Sequence, residues 1–168
     1  MRRLAALGLL LSFPLLPGCA TASHHAELPD AAPYDQDVAE AQAAADLDAR
    51  VAALEPGRSV LAVFGADWCH DSRALAGWLE MPRFQQLIAD EFDVVYIDVG
   101  TPQDGRGRNL DLAARYGVAD IEGTPSVLVI GPGGRLLNTP QDARAWRNAA
   151  SRSEDAIFAA LEDYAARD

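Results

Sequence analysis

The hydrophobic positions change period along the chain, and each change marks an element. Residues 59–64 (SVLAVF) form a continuous apolar run without polar alternation, the pattern of a central strand covered on both faces. Residues 94–97 (VVYI), closed by Asp98, predict a second buried strand, and residues 126–130 (SVLVI) a third. The third run and residues 135–137 flank Gly131, Pro132, Gly133 and Gly134, which predicts a hairpin. Helical stripes lie between the strands. Val38, Leu47, Val51 and Leu54 share one face across 35–54, and Pro56 and Gly57 end that helix. Residues 72–79 read as helix. Pro82 suits the first position of another, which carries Phe84, Leu87 and Ile88. Asn109 is placed to cap a short helix with Leu110, Leu112 and Ala113, stopped by Gly117. Thr139 and Pro140 start a short helix through Trp146. The last helix opens on a capping box at Ser151 and Glu154 and carries Ile157, Leu161 and Tyr164. The resulting order, α-β-α-β-α-β-β-α, predicts one α/β domain over residues 35–168. Its central sheet is mixed, with helices on both faces.

The first residues read as an address. Arg2 and Arg3 precede an apolar stretch of about a dozen residues, too short to span a bilayer but suited to a secretory signal. It ends in LPGC at 16–19, which resembles the bacterial lipobox. That resemblance implies a signal peptide over residues 1–18, cleavage before Cys19 and a diacylglycerol on its thiol. Ala20, rather than an acid, follows the cysteine, which points to the outer membrane of the cell envelope rather than the inner one. The rival is ordinary secretion, with cleavage after the ATA sequence at 20–22. Residues 19–34 hold Pro29, Pro33 and several alanines without apolar periodicity. They predict a flexible tether, of which ~15 residues reach ~20 Å. His24 and His25 fall in it and read as solvated linker, with no other ligands nearby in sequence.

Composition narrows the function. The 168 residues are 49% hydrophobic with a formal net charge of −11, and every basic residue is Arg. Such an acidic chain lacks the clustered cations that nucleic-acid backbones require. Two cysteines cannot build a disulfide framework. With Cys19 lipidated or removed, Cys69 is the single free thiol of the mature domain.

Cys69 sits in FGADWCHDSR at 64–73, after a predicted buried strand and at the start of a helix. This stretch resembles the signature of the thioredoxin superfamily: an aromatic strand end, Trp-Cys-x-x-Cys and a basic residue. Gly123, Thr124 and Pro125, before the third strand, match the family's second motif, whose proline is cis and faces the active cysteine. The resemblance spans about residues 35–166 and implies the thioredoxin-like fold. It also implies that Cys69 attacks disulfides, that Trp68, Thr124 and Pro125 shape a substrate groove, and that Ser72 supports the thiolate.

Three departures qualify the implied activity. Ser72 stands where the family has its second cysteine, so no internal thiol resolves a mixed disulfide. Val63 stands where the family has a buried aspartate. Asp67 and Asp71 oppose a thiolate at Cys69, whereas His70, Arg73 and the helix N-terminus favour it. Trp78 reads as core. Cys69, His70 and Asp71 do not form a hydrolase triad, because adjacent helical residues project about 100° apart. No nucleotide or zinc-protease motif occurs, and neither a cofactor nor a metal is expected.

The leading expectation is an envelope protein, lipid-anchored and facing the periplasm. It would exchange disulfides through one cysteine with cysteine-containing envelope proteins or small thiols. The rival is a non-catalytic binding module or chaperone-like adaptor built on the same fold. A metal handler using Cys69 and His70 is a third reading, disfavoured by the lack of a second thiol.

Overall fold

The computed structural model describes residues 29–167. The signal-peptide and lipobox region, with Cys19, His24 and His25, lies outside the described residues. Strand β1 (Ser59–Gly65) is buried along its whole length. It pairs in parallel with β2 (Phe92–Asp98), Ser59 opposite Phe92, and antiparallel with β5 (Ser126–Ile130), Val60 opposite Ile130. The sheet order is β2-β1-β5. It is a mixed sheet, as the order of elements predicted.

A strand's alternating side chains feed two cores. Leu61 and Val63 of β1 pack with Leu75 and Leu79 of α2 (His70–Glu80), Phe84 of α3 (Pro82–Glu91) and Ile157 and Leu161 of α6 (Glu154–Ala165). Val60, Ala62 and Phe64 pack on the other face. Their partners are Leu47 of α1 (Glu40–Ala52), Leu112 of α4 (Leu110–Arg115) and Ala143 of α5 (Pro140–Arg144). Each buried Leu, Ile or Phe contributes roughly 1.5–3 kcal/mol. The two-residue strands β3 (Gly100–Thr101) and β4 (Arg106–Gly107) form a separate ribbon after β2.

Several local expectations shift. The hairpin after β5 shrinks to one bridge, Ile130 opposite Leu136, and Pro132–Gly134 forms a 3-10 turn. The side chain of buried Asn138 does the work of a neighbouring strand there. Its Oδ1 accepts from Val129 N at 3.0 Å and its Nδ2 donates to Val127 O at 2.9 Å. The cap of α6 is Ser153, whose Oγ accepts from Ala156 N, because Ala149–Ser151 is taken up by a 3-10 turn. Asn109 stands before α4 in the left-handed region (φ 55°) and does not cap it. Its amide instead donates to Asp98 O at 2.8 Å. Helix α5 carries a capping box between Thr139 and Asp142 and ends at Arg144, short of Trp146. Helix α1 starts at Glu40, five residues later than its stripe suggested, because residues 36–38 turn.

The tether also ends earlier than expected. Residues 29–34 are packed against the start and middle of α2. Tyr34 is 1% exposed and belongs to the core on that face, its ring edge-on to Tyr96 with centroids 5.4 Å apart.

Candidate functional site

Cys69 occupies the N-cap of α2 in extended backbone (φ −88°, ψ 119°). The turn before it closes with Cys69 N donating to Ala66 O at 3.0 Å. This sets the sulfur at the positive end of an eleven-residue helix, where negative charge is favoured. The thiol is half-buried and donates to the carbonyl of Thr124 at 3.4 Å. The two motifs of the sequence, 55 residues apart, therefore meet at one hydrogen bond. The Thr124–Pro125 peptide is cis, and both residues are buried at the head of β5.

Trp68 is 49% exposed, the large apolar side chain that the described residues leave open to solvent. Its ring is fixed at one end, where Nε1 donates to Gly100 O at 2.9 Å. Gly100 is itself held by Asp98, whose Oδ2 accepts from Gly100 N at 3.1 Å. Burial pushes the Asp98 carboxyl above the usual carboxylate range, against the Gly100 amide and the Arg108 guanidinium at 3.6 Å, which pull it down.

The charges flanking Cys69 are mostly engaged elsewhere. Asp67 accepts from Tyr34 N at 3.1 Å. Asp71 accepts from Ala150 N at 2.9 Å. Arg73 holds Asp30, its Nε donating to Oδ1 at 2.7 Å, and this guanidinium keeps the Asp30 carboxyl below its usual range. His70 is exposed at the first position of α2. The residues that sequence proximity aims at the thiol thus serve to fasten residues 30–34 and the 150 region to α2.

Ser72 is wholly buried, and its Oγ has no hydrogen-bond partner, the Cys69 thiol included. The thiolate contact implied by resemblance is absent from this geometry. The reason is orientation: one turn into α2, position 72 faces the packed interior, with the Tyr34 hydroxyl donating to its backbone carbonyl at 3.4 Å. The hydroxyls of Thr124 and Ser126 are likewise buried without partners. Val63 is wholly buried among apolar neighbours, so the place of a buried acid is dry and uncharged. Trp78 lies in the same core, as its spacing predicted.

Tyr34 and Asp30 are site-supporting residues that the sequence reading assigned to the tether. Burial raises the Tyr34 hydroxyl well above its ordinary value, more than the Ser72 carbonyl lowers it. A solitary aromatic at the edge of a Pro- and Ala-rich segment is the signal that marks such an anchor. Gly65 and Gly77 supply its seat: a Cβ at Gly65 would stand 2.5 Å from the Tyr34 ring, and one at Gly77 2.5 Å from Asp30 N.

Comparison with known proteins agrees with this geometry. Residues 34–132 match a protein family described as thioredoxin-like. The crystal structure of a disulphide isomerase from Xylella fastidiosa Temecula1 superposes with a TM-score of 0.68 at 33% sequence identity, covering 79% of this chain and 96% of that one. No curated protein matches. A cysteine at a helix N-cap, facing the loop before an antiparallel strand, belongs in this company, and the chain is a member of the thioredoxin-like family.

Proposed function

We propose that this protein carries out thiol–disulfide exchange through the single thiol of Cys69, on cysteine-containing envelope proteins or small thiols. The observation that carries the reading is the Cys69 sulfur at the N-cap of α2, against the Thr124 carbonyl and beside exposed Trp68. The similarity to a disulphide isomerase supports the same reaction class. Cys69, as thiolate, attacks one sulfur of a disulfide; that S–S bond breaks, a mixed disulfide forms, and the second sulfur leaves as a thiolate. Ser72 supplies no second thiol, so release requires an external thiol that attacks the mixed disulfide and restores Cys69. Trp68, Thr124 and Pro125 form the walls against which the partner lies. The protein acts from the cell envelope, held to the outer membrane through a lipid on Cys19, a placement supported by the LPGC sequence at 16–19.

Mass spectrometry of Cys69 from intact cells tests the chemistry. Mixed disulfides with defined partners are expected, and an always-free thiol overturns the reading. Intact-mass analysis tests the anchor: a diacylated protein beginning at Cys19 is expected, and an unmodified start at Ser23 overturns it. The second reading is a binding module, favoured by the apolar Val63 and the unpartnered Ser72 hydroxyl. It predicts that Cys69→Ala retains every partner.

A further inference from the structure

Arg147 lies against the loop that receives the Cys69 thiol. A Cβ built on Gly123 would stand 3.0 Å from Arg147 Nε, 3.1 Å from Cδ and 3.4 Å from Cζ. The guanidinium therefore rests on the backbone of Gly123, one residue before the carbonyl that accepts from Cys69. Consecutive Cα atoms are about 3.8 Å apart, so the residue that the guanidinium touches and the residue whose carbonyl meets the sulfur are neighbours along the loop. Arg147 Nε is buried and has no hydrogen-bond partner. No carboxylate among the described residues pairs with Arg147, whereas Arg73, Arg108 and Arg167 each hold one. Arg58, Arg135, Arg144 and Arg152 also pair with no carboxylate among the described residues, but Arg147 is the one set against the loop that meets the thiol, where it is available to an anion from outside. Arg147 is only partly buried, so with Nε covered its outer nitrogens are the ones left to meet a carboxylate, and such charge-assisted bonds are about twice as strong as neutral ones.

We propose that Arg147 recognises a carboxylate carried by the disulfide that Cys69 attacks, or by the thiol that later attacks the mixed disulfide on Cys69, an inference that rests on the thiol–disulfide reading above. The separation suits a carboxylate within one residue of the reacting sulfur. Two sources share that chemistry: a free acidic thiol of low molecular weight, and an acidic side chain next to a cysteine in a polypeptide. In either case Cys69 bonds to one sulfur of the ligand's disulfide while the other departs as a thiolate. The carboxylate stays on Arg147 and takes no part in the electron flow. Gly123 makes room for this arrangement, and its φ lies outside the left-handed region, so alanine there perturbs only the packing on Arg147.

The test measures second-order rates of Cys69 in the full-length protein with three disulfides: anionic dithiobis(nitrobenzoate), neutral hydroxyethyl disulfide and cationic cystamine. Arg147→Gln is expected to slow the anionic reagent about tenfold, the size of one charge-assisted contact, and to leave the neutral one within about twofold. Arg147→Lys keeps part of the preference, and Gly123→Ala, which displaces the guanidinium without changing charge, loses part of it. Arg144→Gln makes the same charge change on α5. An equal loss with that variant shows a general field and overturns the proposal, as does an Arg147→Gln loss shared by all three reagents. Disulfide-linked peptides with Glu or Gln beside the cysteine separate the sources. A Glu preference lost in Arg147→Gln identifies a polypeptide ligand, and a preference confined to small reagents identifies a free acidic thiol. If Cys69 in the folded protein reacts with none of these reagents, the exchange reading fails and this proposal with it; if Cys69 reacts with all three and Arg147→Gln changes none of the rates, this proposal alone fails.

Discussion

The backbone N–H of Tyr34 donates to the Asp67 carboxylate, two residues before Cys69, at 3.1 Å. With the Tyr34 hydroxyl on the Ser72 carbonyl and Asp30 on Arg73, it makes residues 30–34 a strap over the start of α2. Ala31 N adds a backbone bond to Arg73 O at 3.2 Å. The acids and the arginine around Cys69 are thereby spent on fastening this segment. The thiol is left to the helix N-terminus and the Thr124 carbonyl.

Gly77 tests the strap by reversing a familiar sign. Inside a helix, Gly→Ala ordinarily stabilises by about 1 kcal/mol. At Gly77 the new Cβ would lie 2.5 Å from Asp30 N and 2.5 Å from Pro29 C, both backbone atoms that yield only if the strap lifts. Gly77→Ala is therefore expected to destabilise by about 1–3 kcal/mol in urea unfolding. In a chain beginning at Pro33, which lacks Pro29 and Asp30, the same substitution should stabilise. A stabilising effect in the full chain would show that the strap is not seated there.

Tyr34 separates packing from hydrogen bonding. Its ring is buried with Tyr96 and the α2 core, so Tyr34→Ala should cost about 3–5 kcal/mol, as for other large core aromatics. Tyr34→Phe keeps the ring and gives up a bond of 3.4 Å, which should cost no more than about 1 kcal/mol. Thermal unfolding of both variants distinguishes them. Equal losses would make the hydroxyl, rather than the ring, the anchor.

The three strands and the helices around them were legible because period separates them. Runs such as 59–64 have no polar alternation, and stripes such as Ile157, Leu161 and Tyr164 recur at helical spacing and are buried. The meeting of Cys69 with the 123–125 loop was legible from two short motifs on the right elements. The strap was not, because its stability comes from one aromatic ring entering a space left by Gly65 and Gly77, all distant in sequence. Nor was the fate of the flanking charges: Asp71 binds Ala150 N, 79 residues away, and no local pattern encodes that. Asn138 completing the edge of β5 is a further case, where a side chain supplies what a second hairpin strand was expected to supply.

Asp98 should give stability a pH dependence with a definite sign. Its folded carboxyl titrates above the ordinary value through burial, so the native state holds the proton more tightly than the unfolded chain. Its favourable contribution is full below about pH 4, the ordinary carboxylate value, and is lost as pH rises through the raised one. Asp98→Asn keeps an acceptor for the Gly100 amide and removes the titration. The melting temperature of the variant, relative to the parent, should rise as pH climbs above about 4, the ordinary carboxylate value. A pH-independent difference would mean that the Arg108 guanidinium fully offsets burial. Because Asp98 holds Gly100 and Gly100 holds Trp68, Trp68 emission should move over the same pH interval in the parent and stay fixed in the variant.

Restoring a second thiol is the most direct test of the exchange reading. Position 72 lies one helical turn after Cys69, so the Cβ atoms of the two residues are neighbours at the start of α2, although the parent's Ser72 hydroxyl turns to the interior. Ser72 is wholly buried and its hydroxyl has no partner, so exchanging oxygen for the less polar sulfur removes an unsatisfied group. Reduced Ser72→Cys is therefore expected to be as stable as the parent, or up to about 1 kcal/mol more stable. Under mild oxidant it should form an intramolecular disulfide, seen as loss of both alkylatable thiols without dimer formation. The parent should form one-to-one adducts with disulfide reagents and turn over negligibly. The variant should gain multiple turnover, since the buried thiol at 72 can displace a partner held on Cys69. Its rate should stay below that of an ordinary dithiol thioredoxin, because Val63 leaves no acid beneath the pair to move the proton. A folded variant whose two thiols remain free under oxidant would show that position 72 cannot reach Cys69. A parent that already turns over would show that resolution never needed an internal thiol.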